Sequence, residues 1–150
     1  PWATERYAGF LYAMNKLELS VDPAAVMNVT GPQLNDAQLA DPIVTRTKQG
    51  ITAWVCVSDG LAQVVYRHLT TAGLKVPDDV SLVGFDGVRH LPDCPPLTTI
   101  QIPWKAIGEG ALNAILERIA RPNSPAVQRQ YIGIFIEGKT TAPPPKRKKK

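Results

Sequence analysis

Cysteine is scarce in this chain: 150 residues hold two, Cys56 and Cys94. Neither stands at a metal-ligand or CxxC spacing, which argues against a zinc site or a dithiol redox centre. Cys56 falls inside an apolar run and reads as a small hydrophobe, and Cys94 falls in a proline-flanked loop; nothing calls for a disulfide between them. Long apolar runs are missing as well. Residues 53–57 and 132–136 are typical of the longest, far short of the roughly 20 that a membrane helix needs, so no membrane association is expected. Catalytic signatures are absent too: there is no G-x-S-x-G elbow, P-loop, HExxH or paired-acid motif. Gly108-Glu109-Gly110 lies within a helical pattern and lacks the third glycine of a dinucleotide loop, so close helix packing explains it better. His68 and His90 have no spaced partner. An enzyme is therefore not expected, nor any metal or cofactor.

An excess of basic charge is lacking once its source is located. Of the 17 basic residues, Lys146, Arg147, Lys148, Lys149 and Lys150 supply five; the remaining 12 face 13 acidic residues. The body of the chain thus has no surplus of positive charge with which to neutralise phosphates. The five follow Pro143-Pro144-Pro145, and residues 142–150 read as a disordered basic tail. The other reading of this tail is a weak anionic contact or an import-like signal. The chain as a whole is ordinary globular material, 44% apolar and 20% charged, long enough to bury roughly 70% of its unfolded surface. Because it starts at Pro1 rather than methionine, it is expected to be a fragment, and a missing signal peptide says nothing.

The positive content begins with periodicity. Tyr7, Phe10, Leu11, Met14 and Leu17 recur at helical spacing, with Thr4 available as a cap. Residues 25–29 form a short strand candidate. Asp41-Pro42 then suggests a cap and first-turn proline, with Gly50 as the stop. Residues 53–57 read as a strand running into Ser58-Asp59-Gly60. Leu61, Val65, Leu69 and Ala72 stripe a helix that Gly73 ends in the left-handed manner, and residues 81–85 form a short buried strand. Strand, helix and strand make a right-handed βαβ unit, so Ser58, Asp59 and Asp86 lie along one sheet edge. After an extended run at 97–102, a helix carries Ile107, Ala111, Leu112, Ile115 and Ile119, closed by Pro122; residues 131–136 form a last strand. The fold class is α/β, with a largely parallel sheet and helices on both faces.

Ligands of open α/β sheets bind beyond the carboxyl ends of the strands, which directs attention to Asp86. It either caps the following loop through a backbone N–H or accepts hydrogen bonds from the hydroxyls or amine of a ligand. Ser58 or Asp59 caps the Leu61 helix, leaving the other free to face a pocket. Arg6 begins a helix, where a cation sits poorly with the helix dipole; it is either a plain exposed arginine or one with another task. Trp104, at a strand-to-helix junction, is either core or a surface for stacking on a sugar ring.

Four segments in order carry a resemblance: Arg6-Tyr-Ala-Gly-Phe10, Thr52-Ala-Trp-Val-Cys-Val-Ser-Asp59, Ala72-Gly-Leu-Lys-Val-Pro-Asp-Asp-Val-Ser-Leu-Val-Gly-Phe-Asp86 and Pro95-Pro-Leu-Thr-Thr-Ile100. Together they resemble the effector-binding region of the lactose-repressor (LacI/GalR) family of bacterial transcription regulators, from Arg6 to about Thr141. The resemblance implies a two-lobed, type I periplasmic-binding-protein-like fold. Residues 1–99 and 133–141 would belong to the C-terminal lobe, and 100–132 would be a returned piece of the N-terminal lobe with its crossover. It implies effector contacts from Arg6, Ser58, Asp86 and Trp104, and a small sugar-like effector, with purines as the alternative. It also implies a cytoplasmic homodimer that reads operator DNA through an N-terminal helix-turn-helix that these residues do not contain. Gly31 and Pro32 depart from the family pattern, standing where relatives often place an aromatic pocket wall. A periplasmic sugar-binding protein of a transporter is the runner-up reading, and a small α/β enzyme using Asp59 or Asp86 the third.

Overall fold

The computed structural model describes residues 2–29, 39–88 and 93–145. Helices α1 (Trp2–Lys16), α2 (Ala40–Lys48), α3 (Asp59–Thr71) and α4 (Trp104–Ala120) and strands β1 (Ala53–Val55), β2 (Ser81–Val83), β3 (Thr99–Gln101) and β4 (Ile134–Ile136) follow in the order α1-α2-β1-α3-β2-β3-α4-β4. Strand β1 pairs in parallel with β2, Trp54 opposite Leu82, and β3 pairs antiparallel with β4. Parallel bridges from Val83 to Thr98 and from Asp86 to Gln101 run the 97–101 segment along the far side of β2. The architecture is thus the expected α/β one, with a parallel centre.

Each β1 side chain alternates between burial and exposure, as a strand's period of two requires. Trp54 and Cys56 face the core, while Val55 remains more than half exposed. Beneath them pack Leu39 and Ile43 at the start of α2, and Ala62, Val64, Val65 and Leu69 of α3, with Val80, Leu82 and Leu97 from the sheet. The Trp54 indole N–H donates to Thr47 Oγ1 at 2.9 Å, and that hydroxyl donates to the Ile43 carbonyl at 2.8 Å. A buried tryptophan thereby keeps its polar end satisfied.

Helix α3 ends as its glycine suggests. Gly73 takes φ +79°, its N–H reaches the Thr70 carbonyl, and the Leu74 N–H returns to Leu69. Leu74 then packs against the core. Gly50 closes α2 with φ +121°.

Three local expectations change. Residues 25–29 make no strand: Asp22 Oδ1 accepts from the Ala24 N–H, and Pro23–Ala25 turn as one 3₁₀ turn. Asp22-Pro23 supplies a side-chain acceptor and a fixed φ, which favour a turn over a ladder. Met27 and Val29 beyond it still lie against the core. Helix α2 starts at Ala40 with Leu39 as its cap residue, so Asp41 and Pro42 lie inside the first turn. There a missing proline N–H costs nothing, because the first-turn N–H groups lack helical partners anyway. Helix α1 runs from Trp2, so Thr4 lies within it and not at its cap.

Thr98 and Thr140 form a polar seam beside β2. Thr140 is fully buried; its hydroxyl donates to the Leu82 carbonyl at 2.7 Å and accepts from the Thr98 N–H at 2.9 Å. Ala142, assigned from composition to the tail, is tied through its N–H and carbonyl to Ser81 Oγ. His90, Gly31, Pro32 and Lys146 to Lys150 lie outside the described residues. No described helix is long and apolar enough to cross a membrane.

Both cysteines are free. Burial, aided by the nearby Asp59 charge, pushes the Cys56 thiol up to about 12, and the same two causes raise Cys94. Thiolate is the reactive species. With a thiol reagent at pH 8, native Cys56 is therefore expected to stay unmodified and Cys94 to react more slowly than a free thiol. Both should react at the ordinary rate in denaturant, a contrast readable by mass spectrometry.

Candidate functional site

The parallel register carries β1 and β2 past their assigned ends. The Cys56 N–H donates to the Val83 carbonyl at 2.8 Å and the Asp59 N–H to the Phe85 carbonyl at 2.7 Å. Ser58, Asp59 and Asp86 therefore emerge along one edge, as a βαβ unit demands. Ser58 is the cap of α3: its Oγ accepts from the Leu61 N–H at 3.2 Å. A hydroxyl that accepts this bond keeps its own O–H to donate.

Asp59 turns inward instead. It is fully buried in the first turn of α3, where a carboxylate meets the positive end of the helix dipole. Oδ1 accepts from Thr99 Oγ1 at 2.6 Å and Oδ2 from the Val88 N–H at 2.7 Å. A Cβ on Gly84 would come within 2.2 Å of that Oδ1 and 2.5 Å of Leu97 Cδ2. Glycine at 84 is thus what lets the acid descend between strands. Among the two polar residues at the β1 end, one caps and the other pins the strand ends together; of the two, only the Ser58 hydroxyl keeps a donor for a ligand at this edge.

Asp86 has an unusual backbone. Its φ is +128°, a region costly for any residue with a Cβ, of the order of 1–3 kcal/mol. Its neighbours impose it: the Asp86 N–H donates to Ile100 at 3.0 Å and its carbonyl accepts from Ile102 at 3.2 Å. Gly87 follows at φ +76°, where a Cβ would lie 2.6 Å from Gln101 Cα. The same Asp86 carbonyl accepts the Trp104 indole N–H at 3.1 Å. The tryptophan ring itself is more than half exposed, not core.

The Asp86 side chain meets Arg6. Nη2 of Arg6 lies 3.0 Å from Asp86 Oδ1, and both side chains are only about one-fifth exposed, at 21% and 23%. Nη1 donates to the Val57 carbonyl at 2.5 Å, the residue just before Ser58. The guanidinium centre stands 3.9 Å from the Phe85 ring centroid and 4.9 Å from that of Trp2. Three of the four residues singled out from sequence thus meet: Arg6 joins the ends of the two strands and pairs with Asp86, and Trp104 borders Asp86, while Ser58, next in the chain to Val57, is occupied with its cap. Sequence reasoning missed Phe85, Trp2 and the Val57 carbonyl. Phe85 precedes the acid in the same motif and could have been found by its alternation; Trp2 sits four residues before Arg6, one helical turn away.

Among the described residues no group of three His, Cys, Asp or Glu side chains could hold a metal ion. Of the two glycines in Gly108-Glu109-Gly110, Gly110 is buried and an added Cβ would fall on the Tyr131 hydroxyl, whereas Gly108 has nothing within 4 Å; close packing explains the first alone, and its neighbour is the 129–131 segment and not a helix.

A family model described as a periplasmic binding protein-like domain matches residues 1–141. The chain belongs to that family. It is 32% identical over 136 residues to the HTH-type transcriptional repressor PurR of Haemophilus influenzae, a match spanning 90% of this chain and 40% of the relative. Identity with the repressor PurR of Vibrio campbellii is 36% over 116 residues, spanning 77% and 34% of the two chains. The structure of a LacI family transcriptional regulator from Enterococcus faecium, solved with bound ribose, superposes with a TM-score of 0.77 at 24% identity. That superposition covers 94% of this chain and 52% of the regulator and speaks to fold alone. The LacI/GalR resemblance read from the motifs is thereby borne out, and the chain spans well under half the length of the curated relatives it matches.

Replacing Asp59 with alanine orphans the Thr99 hydroxyl and the Val88 N–H in a buried site. A loss of about 3 kcal/mol is expected, in line with removal of charged hydrogen bonds from an interior, and denaturant unfolding would measure it. Asp86→Ala, at a part-exposed position, should cost clearly less.

Proposed function

We propose that this chain is the effector-binding part of a bacterial, sequence-specific DNA-binding repressor that responds to a small neutral polyol, a sugar or close relative. The observation that carries the reading is the Arg6–Asp86 pair, set 3.0 Å apart at the carboxyl ends of two parallel strands. The two charges offset one another, so the site favours no net charge in its occupant. A hydroxyl can donate to Asp86 and accept from Arg6 at once, which suits a polyol. The exposed Trp104 ring beside Asp86 adds an apolar surface for a sugar face, and Ser58 adds one hydroxyl donor.

Support for a regulator over a transport receptor comes from the relatives, which are named repressors. In this reading the protein is a cytoplasmic homodimer without catalytic activity, and operator DNA is bound by a segment outside these residues. Residues 1–99 and 133–141 form one lobe, while 100–132 belong to the other lobe and its crossover. The bonding of residues 138–142 to Ser81, Leu82, Pro96 and Thr98 supports that division. So does the long apolar exposure of Leu112, Ile115, Leu116 and Ile119 on α4. An effector switches such a protein only through different affinity for its two states.

In the complete protein, Asp86→Ala should leave operator affinity unchanged and weaken effector action roughly 10- to 100-fold, the span expected for one lost charged hydrogen-bonding partner. Operator release would be followed by fluorescence anisotropy against ribose, cellobiose, sucrose and free purine bases. Full response by the variant would sink the assignment of the pocket; response to purines alone would keep the pocket and retire the polyol.

A further inference from the structure

Arg6 is held on more sides than an effector contact requires. Its Nη1 and Nη2 are engaged by the Val57 carbonyl and the Asp86 carboxylate. The guanidinium centre lies over the Phe85 ring, 3.9 Å from its centroid, and over the Trp2 ring, 4.9 Å from its centroid. A guanidinium is weakly hydrated on its faces and is attracted to aromatic rings within about 6 Å. Rings cover the faces while leaving the edge hydrogens free, so they fix the plane of the cation without consuming donors. Among the described residues no acceptor meets the Arg6 Nε–H.

The Trp2 ring has no stronger reason to be where it is. Trp2 lies in the first turn of α1, 57% exposed, on a helix with no fully buried residue. Such a position gives a tryptophan little burial to gain. Phe85 is half-buried and comes from the opposite element, the β2 extension. The cation therefore gathers one ring from its own helix and one from the sheet, and bridges the two.

We propose that Trp2 and Phe85 are positioning residues that clamp the Arg6 guanidinium, holding its plane and its free edge ready before any effector arrives. The inference rests on the site reading above for what Arg6 is held to do, but the clamp exists without a ligand and is tested without one. An unclamped arginine must be ordered on binding, a cost that weakens affinity roughly 3- to 10-fold for one long side chain. Trp2 and Phe85 remove that cost in advance.

The test uses the full-length, ligand-free protein labelled with ¹⁵N at arginine, with the Arg6 Nε–Hε resonance assigned through Arg6→Lys. The clamp requires a sharp Hε signal displaced by ring currents. Trp2→Leu and Phe85→Leu should each move it toward the free-arginine position, and Trp2→Phe should largely restore it. Backbone amide spectra establish that each variant is folded; should Phe85→Leu unfold the protein, Trp2→Leu and Trp2→Phe decide the matter. An Arg6 signal at the free-arginine position in the parent protein, or one unmoved by Trp2→Leu, overturns the clamp. Because no effector is added, that failure is distinct from failure of the polyol reading, which the operator-release titration reports.

Discussion

A single buried carboxylate holds this structure's functional edge in place. Asp59 reaches down from the first turn of α3, takes a hydrogen bond from Thr99 on the next segment and another from Val88 just past Asp86. A charge so far from water is tolerated because it is met by the helix dipole and by two donors. The consequence is geometric. The ends of β1 and β2 and the 99–101 segment cannot slide past one another without breaking charged hydrogen bonds. The candidate contacts outside α1 all stand on those ends: Ser58 on the first, Phe85 and Asp86 on the second, Trp104 just beyond the third.

On that frame the chain spends strain and glycine where the site needs them. Gly84 makes room for the Asp59 carboxylate, and Gly87 lets the turn after Asp86 lie against Gln101. Asp86 itself accepts a positive φ because its N–H and carbonyl are both claimed by the neighbouring segment. An acid held this way has few orientations to lose when it meets a hydroxyl. Arg6 comes to it from a separate helix, so the pair also fastens α1 to the sheet. The proposed effector contacts and the tertiary attachment share the same atoms.

Much of this was legible in the residues. The βαβ reading of 53–85 needed only apolar runs and the Gly73 stop, both local signals, and it set Ser58, Asp59 and Asp86 on one edge. Four motif segments in order were enough to reach the family. What stayed hidden depended on distant partners. Asp59 looked like an ordinary cap because its true acceptor duties involve Val88 and Thr99, 29 and 40 residues away. Phe85 looked like core because no local pattern announces a cation from α1. Residues 25–29 looked like a strand on composition, yet Asp22-Pro23 imposed a turn, and a strand without a ladder partner has nothing to hold it extended.

Trp104 is at once the first residue of α4 and the donor to the Asp86 carbonyl. Those two facts make the helix a pointer whose pivot is the strand edge that carries Asp86. Its 17 residues extend about 25 Å at 1.5 Å per residue, so a tilt of roughly 5° at the pivot sweeps the far end through about 2 Å. A displacement at that pivot too small to open a gap between packed atoms is thus enlarged at Ala120 to something a neighbouring surface can read.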